Sequence, residues 1–238
     1  MRVSLNEIET RYAKAIEALG LPGGLAWDAA QIVMWHDLWG LDGAARLAAR
    51  LDRLDGCEAP RPDVTVHLKG LTLQAAGSSL LAIGPAALDL LEAAEDEKDF
   101  AVEVRACRDL DLAAGLAGLA AMRGLDMVVE AERGESRLCA GSFGAATALH
   151  SLAFSRQDAA AAGTLLLRKL PPDAWTAFQD EAVLPPGELD ARRAAALAEG
   201  VVVEGTAWRR ILALTARWLV ADTAESRARG AGGGRDTD

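Results

Sequence analysis

Three histidines are spread over the 238 residues, and each is a candidate for proton transfer or metal binding, because an unperturbed imidazole titrates near neutrality. His36 stands beside Asp37, but adjacent residues on a helix point about 100° apart, so the two do not form a ready dyad. His67 lies in an alternating run and His150 follows a series of small residues. Neither has a second His or a Cys at ligand spacing, so no metal site is expected. Arg46 carries a planar guanidinium that can hold a carboxylate through two parallel hydrogen bonds, unless it is a solvated or ion-paired helix residue. His36 and Arg46 are therefore the catalytic candidates.

Ser142, in "CAGSFGAATALH", stands between glycines, yet it lacks the G-x-S-x-G spacing that forces a nucleophile onto a strained strand-to-helix turn. A plain turn is expected there. The closing "ESRARGAGGGRDTD" raises the question of a phosphate cradle. Such a cradle needs its glycines after a strand and before a helix, so that backbone N–H groups face the phosphate. These glycines follow the last helix and precede nothing, so no nucleotide cofactor is expected. The tail reads instead as a flexible end that docks on binding, with Ser226, Arg227, Gly230 and Gly232 as its contact residues.

The elements that must position these groups are legible in outline. In "SLNEIETRYAKAIEALG", Ser4 and Glu7 have capping-box spacing, and Leu5, Ile8, Tyr12, Ile16 and Leu19 recur at helical intervals up to Gly20. A second helix, roughly residues 25–39, is expected to carry Trp27, Ala30, Val33, Met34 and Leu38 on one side, and "DGAARLAARLDRL" to make a third. After "EAPRPD", "VTVHLKGLTL" alternates like a strand. Helices are expected at "PAALDLLEAAED", "DLAAGLAGLAAMRG" and from "PPDAW", and strands at "DFAVEVRAC" and "TLLLRKL". A hairpin about Gly134 follows from "DMVVEAERGESRLCAG". A polar Ala/Arg-rich connection then leads through "GVVVEG" to the last helix, "TAWRRILALTARWLVAD", whose core side holds Ile211, Leu214 or Thr215, and Trp218.

The fold expected is α+β: N-terminal helices (1–56) packed with a mixed sheet in a body (57–222) that ends in a C-terminal helix, then a Gly/Arg-rich tail (223–238). The chain is long enough to bury a core without disulfides. Cys57, Cys107 and Cys139 stand far apart and read as buried thiols of a reducing compartment. With a polar N-terminus and no long apolar run, a cytoplasmic protein without membrane contact is expected. A formal charge of −10 repels phosphate backbones and argues against nucleic acid.

Two resemblances add to this. The opening "SLNEIET", the following "GLPGGLAWDAA" and the closing "WLVADTAESRARGAGGGRDTD" resemble a bacterial family of unknown function, with departures at Ala221-Asp222, Gly233 and Thr237. Residues 1–55 are also similar to the N-terminal helices of the malate/L-lactate dehydrogenase family that does not use a Rossmann fold. There the pattern runs Ala-Asp-Leu-Arg-Gly, a short spacer, Ser-His-Gly, then Ala-Arg-Leu. "DLWGLDGAARL" keeps Asp37, Leu38, Gly40, Gly43, Arg46 and Leu47 and lacks the Ser-His pair. That resemblance implies that the missing histidine is the proton donor to the substrate carbonyl. The expectation is thus a non-catalytic accessory or assembly partner of a metabolic enzyme, with a protein partner or further copies of itself. The alternative is an enzyme acting on a small organic or amino acid.

Overall fold

In the computed structural model, described for residues 1–94, 97, 99–152 and 161–218, the first helix starts where its cap places it. A two-residue strand β1 (Arg2–Val3) leads to Ser4, whose Oγ accepts the Glu7 N–H at 3.3 Å. From there α1 (Leu5–Ala18) buries Ile8, Tyr12 and Ile16 on one side, as their spacing requires. α2 (Gly23–Leu38) departs from the one-sided stripe expected for it. Trp27 is 45% exposed, while every residue from Ala29 to Leu38 is buried.

α2 ends in a Schellman turn: the Leu41 N–H donates to His36 O at 2.6 Å, the Gly40 N–H to Asp37 O at 3.0 Å, and Gly40 takes φ +73°. The single third helix expected is two, α3 (Gly43–Ala48) and α4 (Leu51–Leu54). The break falls at Arg50, because its guanidinium donates to the Arg46 carbonyl that a continuing helix would offer to its N–H. That N–H bonds Leu47 O instead.

The run expected as one strand is a hairpin, β2 (Asp63–His67) and β3 (Gly70–Gln74), joined by Leu68 and Lys69. Next come α5 (Leu80–Ala93), β4 (Ala101–Cys107), a 3-10 turn (Leu110–Leu112) and α6 (Ala114–Met122). Pro85 lies inside α5 rather than at its head, since Ser79 caps the helix earlier by accepting the Leu81 N–H. The antiparallel run β5 (Met127–Arg133), β6 (Ser136–Phe143) and β7 (Ala146–Leu152) contains the hairpin expected at Gly134. β8 (Gly163–Lys169), α7 (Pro172–Asp180), α8 (Pro186–Glu199), β9 (Val201–Val202), α9 (Gly205–Thr215) and a 3-10 turn (Ala216–Trp218) are the remaining described elements. The connection expected between the last two helical regions is α8, an Ala-rich helix braced by Glu188 and Arg192 at i,i+4.

The sheet runs β2-β3-β4-β8-β5-β6-β7, with β3 and β4 parallel and every other neighbouring pair antiparallel. β1 pairs separately with β9. The chain is therefore α+β, and one apolar cluster extends from Val3 through α2 and the sheet to Ile211. Trp35 and Trp39 pack against each other within it, 5.3 Å between centroids and tilted by 48°. In α9 Ile211 is buried while Leu214 and Thr215 are half-buried; the side chain of Trp218 lies outside the described residues. Of the cysteines, all free, Cys107 is buried, while Cys57, after α4, and Cys139, in the middle of β6, are only half-buried and pack at the borders of the apolar clusters. Among the described residues no helix is long and apolar enough to cross a membrane.

α6 approaches α2 closely through two glycines. A Cβ on Gly115 would press on the Ile32 carbonyl, and one on Gly118 would enter the Trp35 indole. Gly118→Ala is expected to lower stability by about 1–3 kcal/mol through overpacking. The midpoint of urea unfolding checks this; an unchanged midpoint would contradict the packing described.

Candidate functional site

The Schellman turn throws the chain back so that α3 crosses the end of α2. Gly43 then lies directly on the Val33 carbonyl and the Asp37 carboxylate, where any Cβ would collide. The Ala44 N–H donates to Asp37 Oδ1 at 3.0 Å, and the Tyr12 hydroxyl donates to Asp37 Oδ2 at 2.6 Å. Burial, opposed in part by these bonds, raises the Asp37 carboxyl to about 6, and burial raises the Tyr12 phenol as well. Asp37 thus serves the α1–α2–α3 junction. It does not meet His36, as their adjacency on a helix foretold.

His36 is fully buried. Its Nδ1 lies 2.9 Å from Ile32 O, which fixes the N–H on Nδ1. Burial first, then the Arg46 guanidinium, lowers its pKa to about 4, so it is neutral at pH 7.

Arg46 is buried too, and it is ion-paired. Its Nε donates to Leu41 O at 2.8 Å and its Nη1 to Asp111 Oδ2 at 2.6 Å. Arg50 reaches Asp109 at 2.8 Å and also bonds Asp111. Arg53 and the Ser79 hydroxyl donate to the two oxygens of Asp109 at 2.7 and 2.6 Å. Burial would raise the Asp111 carboxyl, but Arg50 and Arg46 overcome it and hold that carboxyl below its ordinary value. Of this set only Arg46 was singled out in the sequence. The others had a signal: Arg46, Arg50 and Arg53 recur at helical spacing, and Asp109 and Asp111 follow a strand in "CRDLD".

Two of the surface clefts formed by the described residues have charged side chains in their walls. One of about 120 Å³ sits at the C-terminal ends of the parallel β3 and β4, beside Arg53, Cys57, Ser79 and Arg108. The other, about 610 Å³, lies between the ends of α5, α6 and β8, with Arg123, Asp126, Lys169 and Pro171 in its walls. His36 and Arg46 line neither. Arg123 is held by Asp28, Asp89 and Glu92, and Lys169 by the Ala94 carbonyl.

Across the 3.6-residue and two-residue periodicities of these elements, the chain shares its architecture with known enzymes. It aligns with a dehydrogenase from Sinorhizobium meliloti at 16% identity (TM-score 0.66, covering 90% of this chain and 99% of that one). It aligns likewise with malate dehydrogenase from Pyrococcus horikoshii OT3 at 11% identity (0.70, 91% and 95%) and with sulfolactate dehydrogenase from Methanocaldococcus jannaschii at 12% (0.67, 90% and 96%). The chain has the fold of these dehydrogenases. A family model described as "Protein of unknown function (DUF3726)" matches residues 3–79. No curated protein sequence matches. Both resemblances read from the sequence are thereby met.

Within the dehydrogenase fold the other sequence candidates separate. Ser142 is not in a turn: it lies in β6, fully buried, and its hydroxyl donates to Leu125 O at 2.7 Å, because the turn falls later at Gly144. His150 packs against Phe178 and lies 3.6 Å from Glu181, away from Ser142. His67 bonds Thr72 Oγ1 at 2.8 Å. Burial pushes the Cys107 thiol up, far from a reactive thiolate. Among the described residues no set of three or more His, Cys, Asp or Glu is placed to hold a metal ion. Ser226, Arg227, Gly230 and Gly232 lie outside the described residues.

Two predictions follow from the buried groups. Asp111→Ala would leave Arg46 without its carboxylate and Arg50 with Asp109 alone, and is expected to cost about 3–5 kcal/mol, measured by denaturant unfolding. The pH dependence has opposed parts. His36, lowered from 6.5 to about 4, contributes stability that is present above pH 6.5 and lost as pH falls towards 4. Asp37, raised from 3.8 to about 6, does the reverse, its contribution being lost as pH rises from 3.8 to 6. Asp37→Asn should therefore make stability rise with pH across that window, and His36→Asn should make it fall; equal slopes in the two variants would contradict the assignment.

Proposed function

We propose that the chain carries a dehydrogenase fold without that fold's proton-donor chemistry, and works in the cytoplasm as a non-catalytic accessory or assembly partner of a metabolic enzyme. The observation that supports this is the α2–α3 turn. In the dehydrogenase-like motif Ser-His stands directly before the glycine that this chain keeps as Gly43; here Leu41 and Asp42 occupy those places, so the turn carries no imidazole. His36 cannot take over the role. Enclosed in the core with a pKa of about 4, its imidazole is neutral at pH 7, holds its N–H against Ile32 O and lines neither cleft, so it is no general acid at neutrality. Arg46 spends its donors on Asp111 and Leu41, so a substrate carboxylate would have to displace a buried ion pair.

A second reading, an enzyme acting on a small organic or amino acid, is favoured by the 610 Å³ cleft, whose wall holds the cations Arg123 and Lys169 beside the carboxylates Glu92, Asp126 and Asp173. The size suits such a ligand. The solved structures sharing the fold act on malate and sulfolactate, and one is a Δ1-piperideine-2-carboxylate reductase from Pseudomonas syringae. All three compounds are small carboxylic acids.

The purified full chain should show no oxidation of NADH or NADPH beyond the protein-free rate with the 2-oxo acids that correspond to malate and sulfolactate, or with Δ1-piperideine-2-carboxylate. Purified from its own cells at native abundance, it should carry a metabolic enzyme in stoichiometric amount. Turnover of any of these acids overturns the proposal in favour of the second reading, and the absence of any such enzyme overturns the accessory role.

A further inference from the structure

β2 is an outer strand of the sheet, with β3 on one side and no strand on the other among the described residues. All five of its residues are exposed. Outer strands of natural sheets are commonly blunted by an internal lysine, a proline or a bulge. β2 has none of these between Asp63 and His67. It carries instead an apolar row, Val64 at 53%, Val66 at 75% and, in the turn, Leu68 at 94% exposure. This row continues the core face of the sheet, because Val64 lies opposite the buried Leu73 and Val66 opposite Leu71, which in turn pair with Val104 and Val102. α5 covers that face over β4 and β8 and stops short of β2.

The strand is complementary to itself. The turn of Leu68 and Lys69 closes on the pair His67 and Gly70. In a two-residue hairpin this closing pair exchanges both backbone hydrogen bonds, and the hydrogen-bonded pairs alternate along the ladder. Asp63, Thr65 and His67 therefore turn their N–H and C=O groups towards β3, and Val64 and Val66 turn theirs outward. Antiparallel pairing with a second β2 about Thr65 sets Val64 opposite the partner's Val66, with both outward backbone groups of each matched. The same register sets Thr65 against its copy and Asp63 against the partner's His67 at both ends. His67 uses Nε2 towards Thr72, which leaves Nδ1 outside that bond. Charge, hydrogen-bond phase and the apolar row all select one alignment.

We propose that β2 is a homodimerisation surface, pairing antiparallel with β2 of a second copy across a two-fold axis at Thr65, so that the sheet runs on through both subunits. Such an isologous contact closes on itself and does not propagate. It is independent of the accessory function and neither requires it nor excludes it.

Sedimentation equilibrium and native mass spectrometry of the full chain at micromolar concentration test this. The wild type should be a dimer. Val66→Pro removes an outward N–H without touching the bonds to β3 and should raise the dissociation constant by about tenfold or more, with the far-UV spectrum and thermal midpoint of the subunit retained. Asp63→Lys alone should weaken the dimer by removing the carboxylate that faces the partner's His67, and Asp63→Lys with His67→Asp should restore it, because each end then sets a lysine against an aspartate. A monomeric wild type overturns the proposal and leaves the edge to a strand of another protein. A dimer indifferent to Val66→Pro, or a double variant no tighter than the single, overturns it equally.

Discussion

Two arginines and two aspartates, all buried, tie the helical N-terminal segment to the sheet. Arg46 and Arg50 project from α3 and the start of α4, and Asp109 and Asp111 follow the end of β4. Every carboxylate oxygen of the two aspartates has a donor, from Arg46, Arg50, Arg53 or Ser79. Removing four charges from water costs several kcal/mol per ion, and mutual attraction roughly offsets that only when the geometry is satisfied. The network is therefore less a reservoir of stability than a condition on geometry. α3 must cross α2 where it does, and the chain after β4 must turn where it does, or a charge is left stranded. Asp109 adopts φ +61°, a left-handed conformation that a non-glycine residue keeps only when its surroundings over-determine it.

This condition bears on the relation between fold and function. A scaffold shared with dehydrogenases fixes the position of elements, while activity resides in the groups grafted on them. Here the residues that resemblance makes interesting are spent on the scaffold. Arg46 completes the ion network, Asp37 joins three helices, and His36 is a neutral core side chain whose ring faces Trp39 at 6.5 Å. The close approach of Gly43 to Val33 and Asp37 sets α3 against α2, and from there Arg46 reaches Asp111.

Most of the architecture was legible in the sequence because it rests on local rules. The cap at Ser4, the glycine after α2, the hairpin at Gly134 and the strands around Val102 and Leu165 each follow from spacing and turn chemistry. What was not legible depends on contacts distant in the chain. The helix through residues 42–54 breaks at Arg50 because a side chain takes a carbonyl away from the backbone, and its reason lies 59 residues further on at Asp109. α2 carries no one-sided stripe because it is covered all round, and periodicity signals a helix with one wet face. α8 read as a connection because its prolines and arginines outweighed its alanines. Of the site, the sequence indicated His36 and Arg46 but not their burial, since the carboxylates that claim Arg46 and Arg50 could be recognised only once β4 was placed beside α3.

The same reasoning limits what the matched segment 3–79 can be. It contains Arg46, Arg50, Arg53 and Ser79 but ends before Asp109 and Asp111. It also contains β3 without β4, the parallel neighbour to which β3 bonds along its length. A segment whose buried guanidiniums find their carboxylates outside it cannot bury them alone. Residues 3–79 are thus a recognisable stretch of sequence rather than a folding unit, and the helical start of the chain acquires its structure only with the rest of the sheet in place.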